Sequence, residues 1–269
     1  MNHILNFWES QSEKFQNSRE VSWQDSYMQD IEYENLTKVI INHFPSREIS
    51  RVLDAGCANG FVIKQLINEN NIGEAVGIDF SNSMIKFANK GELSNKLIFK
   101  QADVRNIPYP DNHFDLTFTN RVIINLPNWN EQEDAIVQLL RVTKPGGVLV
   151  MQEAFWDGLK VINEQRELSG LSPLAQKDFN CYLRMNVVAK LLDRLGLEFK
   201  LVDTSSIYYL GTRLIRELLT DEVEFKCELN RIFKNLQLSY PGIRGIDENR
   251  NLPGIQKMIL ISKPSLVAK

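Results

Sequence analysis

The chain has 269 residues, a 43% hydrophobic fraction and a formal net charge of -3, enough for one large α/β domain with an insertion and an ordinary packed core. That charge offers nucleic acid no attraction, no apolar run approaches the roughly 18 residues of a membrane span, and the opening M-N-H-I-L-N-F-W-E-S lacks the basic-then-apolar order of a signal peptide. Three scattered cysteines (Cys57, Cys181, Cys227) without a C-x-x-C point to a reducing cytoplasm, and three distant histidines (His3, His43, His113) offer no metal-ligand spacing.

The stretch to about Phe44 reads helical. Ser22 is its expected cap, with Asp25 three residues on, and Trp23, Tyr27 and Ile31 share a face. Trp23 and Tyr27 fit core packing, or a lid over a ligand, because this helix leads directly into the first strand. Arg51 to Asp54 then reads as a short buried strand. Gly56 and Gly60 bracket a tight turn, and Val62, Ile63, Leu66 and Ile67 follow at helical spacing. Strand, glycine turn and helix in that order make a cradle: glycine admits a ligand close to the backbone, and the helix start offers unpaired N–H groups. Asp54, just before the turn, suits a ligand carrying an ammonium group.

Further strands are expected at Glu74 to Asp79, Lys96 to Lys100, Phe114 to Thr119, Val148 to Met151, Leu197 to Asp203 and Ile255 to Ser262. Ser81 and Asn130 read as the caps of intervening helices, and Val187 to Leu195 as another helix. Strands alternating with helices predict a doubly wound, seven-stranded, mostly parallel sheet. Thr204 to Gly254 separates the last two strands by about 50 residues, where a compact domain usually spends 2–6, so it must carry structure of its own. The expected organisation is an N-terminal helical lid (1–44), a ligand-binding core (45–203), a cap insertion (204–254) and a closing strand with its tail (255–269).

Ligands in open α/β sheets sit beyond the carboxyl ends of the strands. Asp54 and the glycine turn end the first strand. Asp79 and Phe80 end the second, where an acid can take both hydroxyls of a ribose. Asp103 and Val104 follow the third, where a carboxylate can accept from an exocyclic amine. Asn120 ends the fourth.

The successive runs D-A-G-C-A-N-G, G-I-D-F-S-N-S-M, A-D-V-R-N-I-P-Y-P-D-N-H-F-D and K-P-G-G-V-L, from about Arg51 to Met151, resemble the signatures of class I S-adenosylmethionine-dependent methyltransferases. The resemblance implies a Rossmann-like methyltransferase fold, S-adenosylmethionine as cofactor, S-adenosylhomocysteine as product, and no metal. It implies that the run Asp54 to Gly60, with Ala55, Gly56 and Cys57, holds the methionine end. Asp79 and Phe80 would serve the ribose, Asp103, Val104 and Met84 the adenine, and Asn120 the methyl side, under Trp23 and Tyr27. Many members have glycine where this chain has Ala58, which is tolerable if that backbone need not take positive φ. The nicotinamide pattern G-x-G-x-x-G is not matched.

Methyl transfer needs an in-line nucleophile, and positioning alone can supply roughly 7–11 kcal/mol. His43 and His113 precede their strands and belong at the wrong sheet edge. Glu153, ending the fifth strand, is therefore the candidate acid/base. Arg121, Asn180, Tyr182, Tyr208 and Arg213 are candidate acceptor contacts. Absent histidine and available guanidinium suggest a small anionic acceptor, such as a phosphorylated or nucleotide-linked sugar or a carboxylate, methylated at oxygen. The region after Glu153 is loosely similar to methyltransferases that tailor bacterial surface sugars. Nucleic acid and membrane are not expected partners. Two other readings stay open: a cofactor-binding scaffold without turnover, and a methyltransferase acting on a protein.

Overall fold

The computed structural model describes residues 2–91, 94–221, 224–240 and 252–265. Seven strands form one sheet: β1 (Glu48–Ala55), β2 (Asn71–Asp79), β3 (Leu97–Gln101), β4 (Phe114–Asn120), β5 (Thr143–Ala154), β6 (Lys200–Asp203) and β7 (Gln256–Ser262). Their order is β3-β2-β1-β4-β5-β7-β6. β7 runs antiparallel to both its neighbours, and the remaining pairs are parallel.

The helices are α1 (Asn2–Phe15), α2 (Ser26–His43), α3 (Phe61–Glu69), α4 (Asn82–Ala88), α5 (Trp129–Val142), α6 (Trp156–Leu168), α7 (Met185–Arg194), α8 (Ser206–Leu210), α9 (Arg216–Leu219) and α10 (Glu228–Ser239). A π turn, Gly211–Ile215, joins α8 to α9. Among the described residues no helix is long and apolar enough to cross a membrane.

Both faces of the sheet are covered, which is why its strands are apolar without alternation. Leu53, Val76, Leu149 and Met151 face one layer, with Leu139 of α5, Ile162 of α6 and Val188 of α7. Val52, Leu116, Phe118 and Val150 face the other, with Ile40 of α2, Ile63 of α3 and Ile85 of α4. Neighbours such as Val52 and Leu53 thus point opposite ways, as a pleated strand requires.

Several boundaries differ from expectation. The N-terminal stretch is two helices, α1 and α2, separated by a short turn at Arg19–Val21. Asp25, not Ser22, caps α2, accepting the Met28 N–H at 3.1 Å. Asn128, not Asn130, caps α5, accepting the Glu131 N–H at 3.1 Å. Asp and Asn side chains several residues apart satisfy a helix start equally well, so the sequence alone does not choose between them. β5 begins at Thr143, ahead of the expected Val148, because the Pro-Gly-Gly run lies within the strand. Of the 204–254 insertion, α8, the π turn, α9 and α10 are seen, with α10 packed on α2 and α8. Residues 222–223 and 241–251 of it, and 266–269 of the tail, lie outside the described residues.

Candidate functional site

A cavity of about 500 Å³ opens beyond the carboxyl ends of β1 to β5, and a second of about 340 Å³ adjoins it, sharing Gly56, Ala58, Asn120 and Arg121 in its wall. The glycine turn sits where they meet. The N–H groups of Gly56 and Cys57 both donate to the Ile78 carbonyl, at 2.7 and 2.9 Å, folding the turn back against β2. Gly56 has φ +84°, and a β-carbon there would lie 2.2 Å from Val122 Cγ2. Only glycine fits. Ala58, contrary to expectation, also has positive φ, +48°. Its N–H donates to Asp79 Oδ2 at 2.9 Å, which holds it there.

Three carboxylates edge this part. Asp54 lines the smaller cavity and is buried; burial, with Asp79 nearby, pushes its carboxyl well above the usual range. Asp79 lines the larger one. Burial raises it to about 6, against hydrogen bonds from the backbone of Ser81, Ala58 and Phe80. Asp103 lines it too, yet its carboxylate is gripped by Arg105, which also pairs with Glu131; the Arg105 hydrogen bonds outweigh its burial and hold it below its ordinary value. Phe80, Met84 and Val104 complete this wall. Ala55 ends β1 in the core, Cys57 faces the smaller cavity, and Gly60 starts α3 at φ +77° without lining either.

The loop after β4 forms the next wall. Asn120 accepts from Gln152 Nε2 at 2.8 Å. Arg121, at φ +56°, pairs with the buried Glu32 and lies 4.5 Å from the Trp23 ring centroid. Glu153 stands behind this loop, not in the cavity. It is fully buried and takes the Thr119 hydroxyl at 2.9 Å and the N–H groups of Val122, Ile123 and Ile124 at 3.1, 3.2 and 3.4 Å. Burial raises it to about 7 despite those bonds. A carboxylate so engaged shapes the loop that lines the cavity and does not face the cavity itself, which leaves the expected acid/base role no line of approach.

α1 covers the site. Glu9 accepts from Ser81 Oγ at 2.8 Å and also bonds Ser83 at the start of α4, and Phe7 packs on Phe179 with ring centroids 4.3 Å apart. Asn59 of the glycine turn donates to the carbonyls of Gln16 and Ser18, both at 2.9 Å. Trp23 lines the cavity; Tyr27 does not, and packs against the core beneath Lys234.

The far wall gathers Asn180, Tyr182, Tyr209, Arg213 and Gln256. Residues near 180 are tied to the β4 loop by Cys181 N–H to the Ile124 carbonyl and to α5 by Gln132 Nε2 to the Cys181 carbonyl, both 2.6 Å. Arg213 bonds Asp25 Oδ2 at 2.7 Å, and Tyr208 Oη bonds Asp25 Oδ1 at 2.6 Å. Tyr208, an expected acceptor contact, is wholly buried and does not line the cavity; its neighbour Tyr209 does. His43 contacts the Gly146 carbonyl and His113 packs on Tyr109, both at the opposite edge. No cluster of potential metal ligands occurs among the described residues.

The sequence did not single out Phe7, Glu9, Phe179 or Gln256. The one available signal was the Phe7-Trp8 pair on an N-terminal helix. Nothing local marks the others, since each acts on a segment distant in sequence.

Residues 47–193 match the family described as "Methyltransferase domain". The chain is 36% identical over 110 residues to a ubiquinone/menaquinone biosynthesis C-methyltransferase of Ectopseudomonas mendocina, covering 39% of this chain and 41% of that one. It is 31% identical over 121 residues to the 27-O-demethylrifamycin SV methyltransferase of Amycolatopsis mediterranei, covering 43% of each. The match thus spans about two fifths of these curated relatives. A methyltransferase structure from Archaeoglobus fulgidus shares the fold, with a TM-score of 0.51 at 17% identity over 86% of this chain and 94% of that one.

Proposed function

The chain belongs to the methyltransferase-domain family, and from that premise we propose that it moves a methyl group from S-adenosylmethionine to a small acceptor enclosed beneath α1. The observation that carries this is the Gly56 turn, packed against Val122 and flanked by the buried Asp54 and the half-buried Asp79. A β-carbon-free turn beside an acid raised by burial fits a ligand that brings an ammonium to Asp54 and ribose hydroxyls to Asp79. Phe80, Met84 and Val104 offer the apolar slot an adenine needs, with Asp103 at its edge. Asn120 and Arg121 lie on the methionine side.

Bound there, S-adenosylmethionine supplies an electrophilic methyl on a sulfonium. The chain's own contribution is enclosure and alignment: α1 and the residues near 180 exclude water, and the Glu153-braced loop fixes the wall against which the acceptor must lie. Among the described residues no histidine lines the cavity, and the phenols of Tyr182 and Tyr209 are pushed up by burial. The acceptor is therefore one whose reacting atom is already electron-rich, an anionic oxygen or a stabilised carbanion, so the reaction is not confined to oxygen. One relative named above is a C-methyltransferase and the other, by its name, methylates an oxygen.

Arg121 and Arg213 support an anionic group on the acceptor. Phe7, Trp8, Leu159, Leu174 and Phe179 in the same wall favour an apolar body over a sugar, which removes the motive for a surface-polysaccharide role. Calorimetry with S-adenosylhomocysteine tests the reading: binding is expected, and Asp79→Ala should weaken it by about tenfold or more, the loss of a charged hydrogen-bond acceptor. Absence of binding by folded protein would remove the proposal.

A further inference from the structure

Arg213 brings a guanidinium to the cavity wall between the rings of Tyr209 and Phe225, 5.5 and 5.1 Å from their centroids. Its charge is already answered. Asp25, with no exposed surface, holds one arm at 2.7 Å. A guanidinium has five donors in a fixed fork, so N–H groups remain, but the pair as a whole is near neutral. A dianion placed here would be left largely uncompensated in a buried wall, which is costly. A single planar oxyanion would leave half that charge to be met, and a carbonyl none.

Gln256 lines the same cavity, is 4% exposed, and its Oε1 has no hydrogen-bond partner among the described residues. Buried amides are almost always paired, so this one is short of a group from outside the fold. Its backbone is firmly placed. The Gln256 carbonyl accepts from Thr204 Oγ1 at 3.0 Å and Ser205 Oγ at 2.8 Å, and the Ser205 carbonyl takes the Tyr209 N–H at 2.7 Å. Gln256, Tyr209 and Arg213 therefore form one continuous wall, built from β7 and the insertion.

We propose that the acceptor is a hydroxylated aryl carboxylate or carbonyl compound, its oxygen received by Arg213 and its neighbouring hydroxyl by Gln256. This rests on the methyl-transfer reading and narrows it. Both residues set acceptor choice and take no part in holding the cofactor. The same charge balance favours a carboxylate over a phosphate dianion beside Arg213.

The test uses wild-type protein saturated with S-adenosylhomocysteine and titrated with 2-hydroxybenzoate, benzoate, phenyl phosphate and glucose 1-phosphate. 2-Hydroxybenzoate should bind tightest. Gln256→Leu should bring it to parity with benzoate, a loss of about tenfold. Arg213→Lys, which keeps a cation for Asp25 but loses the fork, should weaken both carboxylates about tenfold. S-adenosylhomocysteine affinity should stay the same in both variants. Tighter binding of either phosphate, unchanged affinities in Gln256→Leu, or no binding of any of the four would overturn the proposal. Failure of wild-type protein to bind S-adenosylhomocysteine would defeat the methyl-transfer reading instead.

Discussion

Ala58 holds a backbone conformation, φ +48°, that its β-carbon opposes. A non-glycine residue in the left-handed region costs about 1–2 kcal/mol. The hydrogen bond from its N–H to Asp79 keeps it there. Ala58→Gly should raise unfolding free energy by about 1 kcal/mol in urea titration, less whatever freedom glycine adds to the unfolded chain; a destabilised variant would show that the conformation is not strained. Glu153 makes a second residue-scale claim. Its pKa rises from 4.5 to about 7 on folding, so the native state binds the proton more tightly than the unfolded chain. That contribution is full below about pH 4.5 and is lost as pH climbs to 7, on the order of 3 kcal/mol in all. Glu153→Gln should flatten that part of the fall, measured by denaturant midpoints from pH 4.5 to 7.5. Parallel curves for the two proteins would show that the carboxyl is not perturbed.

At the scale of elements, α1 and the turn after it are tied to the site itself: Glu9 to the start of α4, Gln16 and Ser18 to Asn59, Phe7 to Phe179. A cover tied to the walls it closes should govern exchange of the bound molecule. Glu9→Ala should speed S-adenosylhomocysteine dissociation severalfold in stopped-flow while leaving the fold intact by circular dichroism; an unchanged off-rate would make α1 a fixed wall. The sequence suggested a lid somewhere in residues 1–44, resting on Trp23 and Tyr27, but not the contacts that Phe7 and Glu9 make. The cofactor side could be read because its residues end successive strands, and one strand carries Asp54 and the turn in unbroken order. The opposite wall was legible only in part: Arg121, Asn180, Tyr182 and Arg213 line the cavity, but α1, α8 with its π turn and the start of β7 meet them only in the folded chain. Glu153 misled for a related reason. Its place at a strand end was correct, but pleating turned it toward Thr119 and the loop behind the cavity, a matter of one residue's parity.

Across the whole molecule, the strand order reverses between β1 and β4, and the crevice opens there. Folding therefore sinks Asp54 and Asp79 into one low-dielectric place, and both carboxyls are raised mainly by that burial. In the free protein, a raised acid stabilises the fold while protonated; for Asp79 this stability fades as pH rises from about 3.8 to about 6. A ligand that brings an ammonium and ribose hydroxyls prefers both groups ionised. Binding should then release protons at low pH, and S-adenosylhomocysteine affinity should fall as pH drops below about 6, by up to tenfold per unit for each proton released. Calorimetry at pH 5.5 in two buffers of different ionisation enthalpy would read the released proton directly, and Asp79→Asn should lower its number. Equal heats in the two buffers, with affinity flat from pH 5 to 8, would mean that these carboxyls are already ionised without the ligand, and that burial alone does not set the charge of this site.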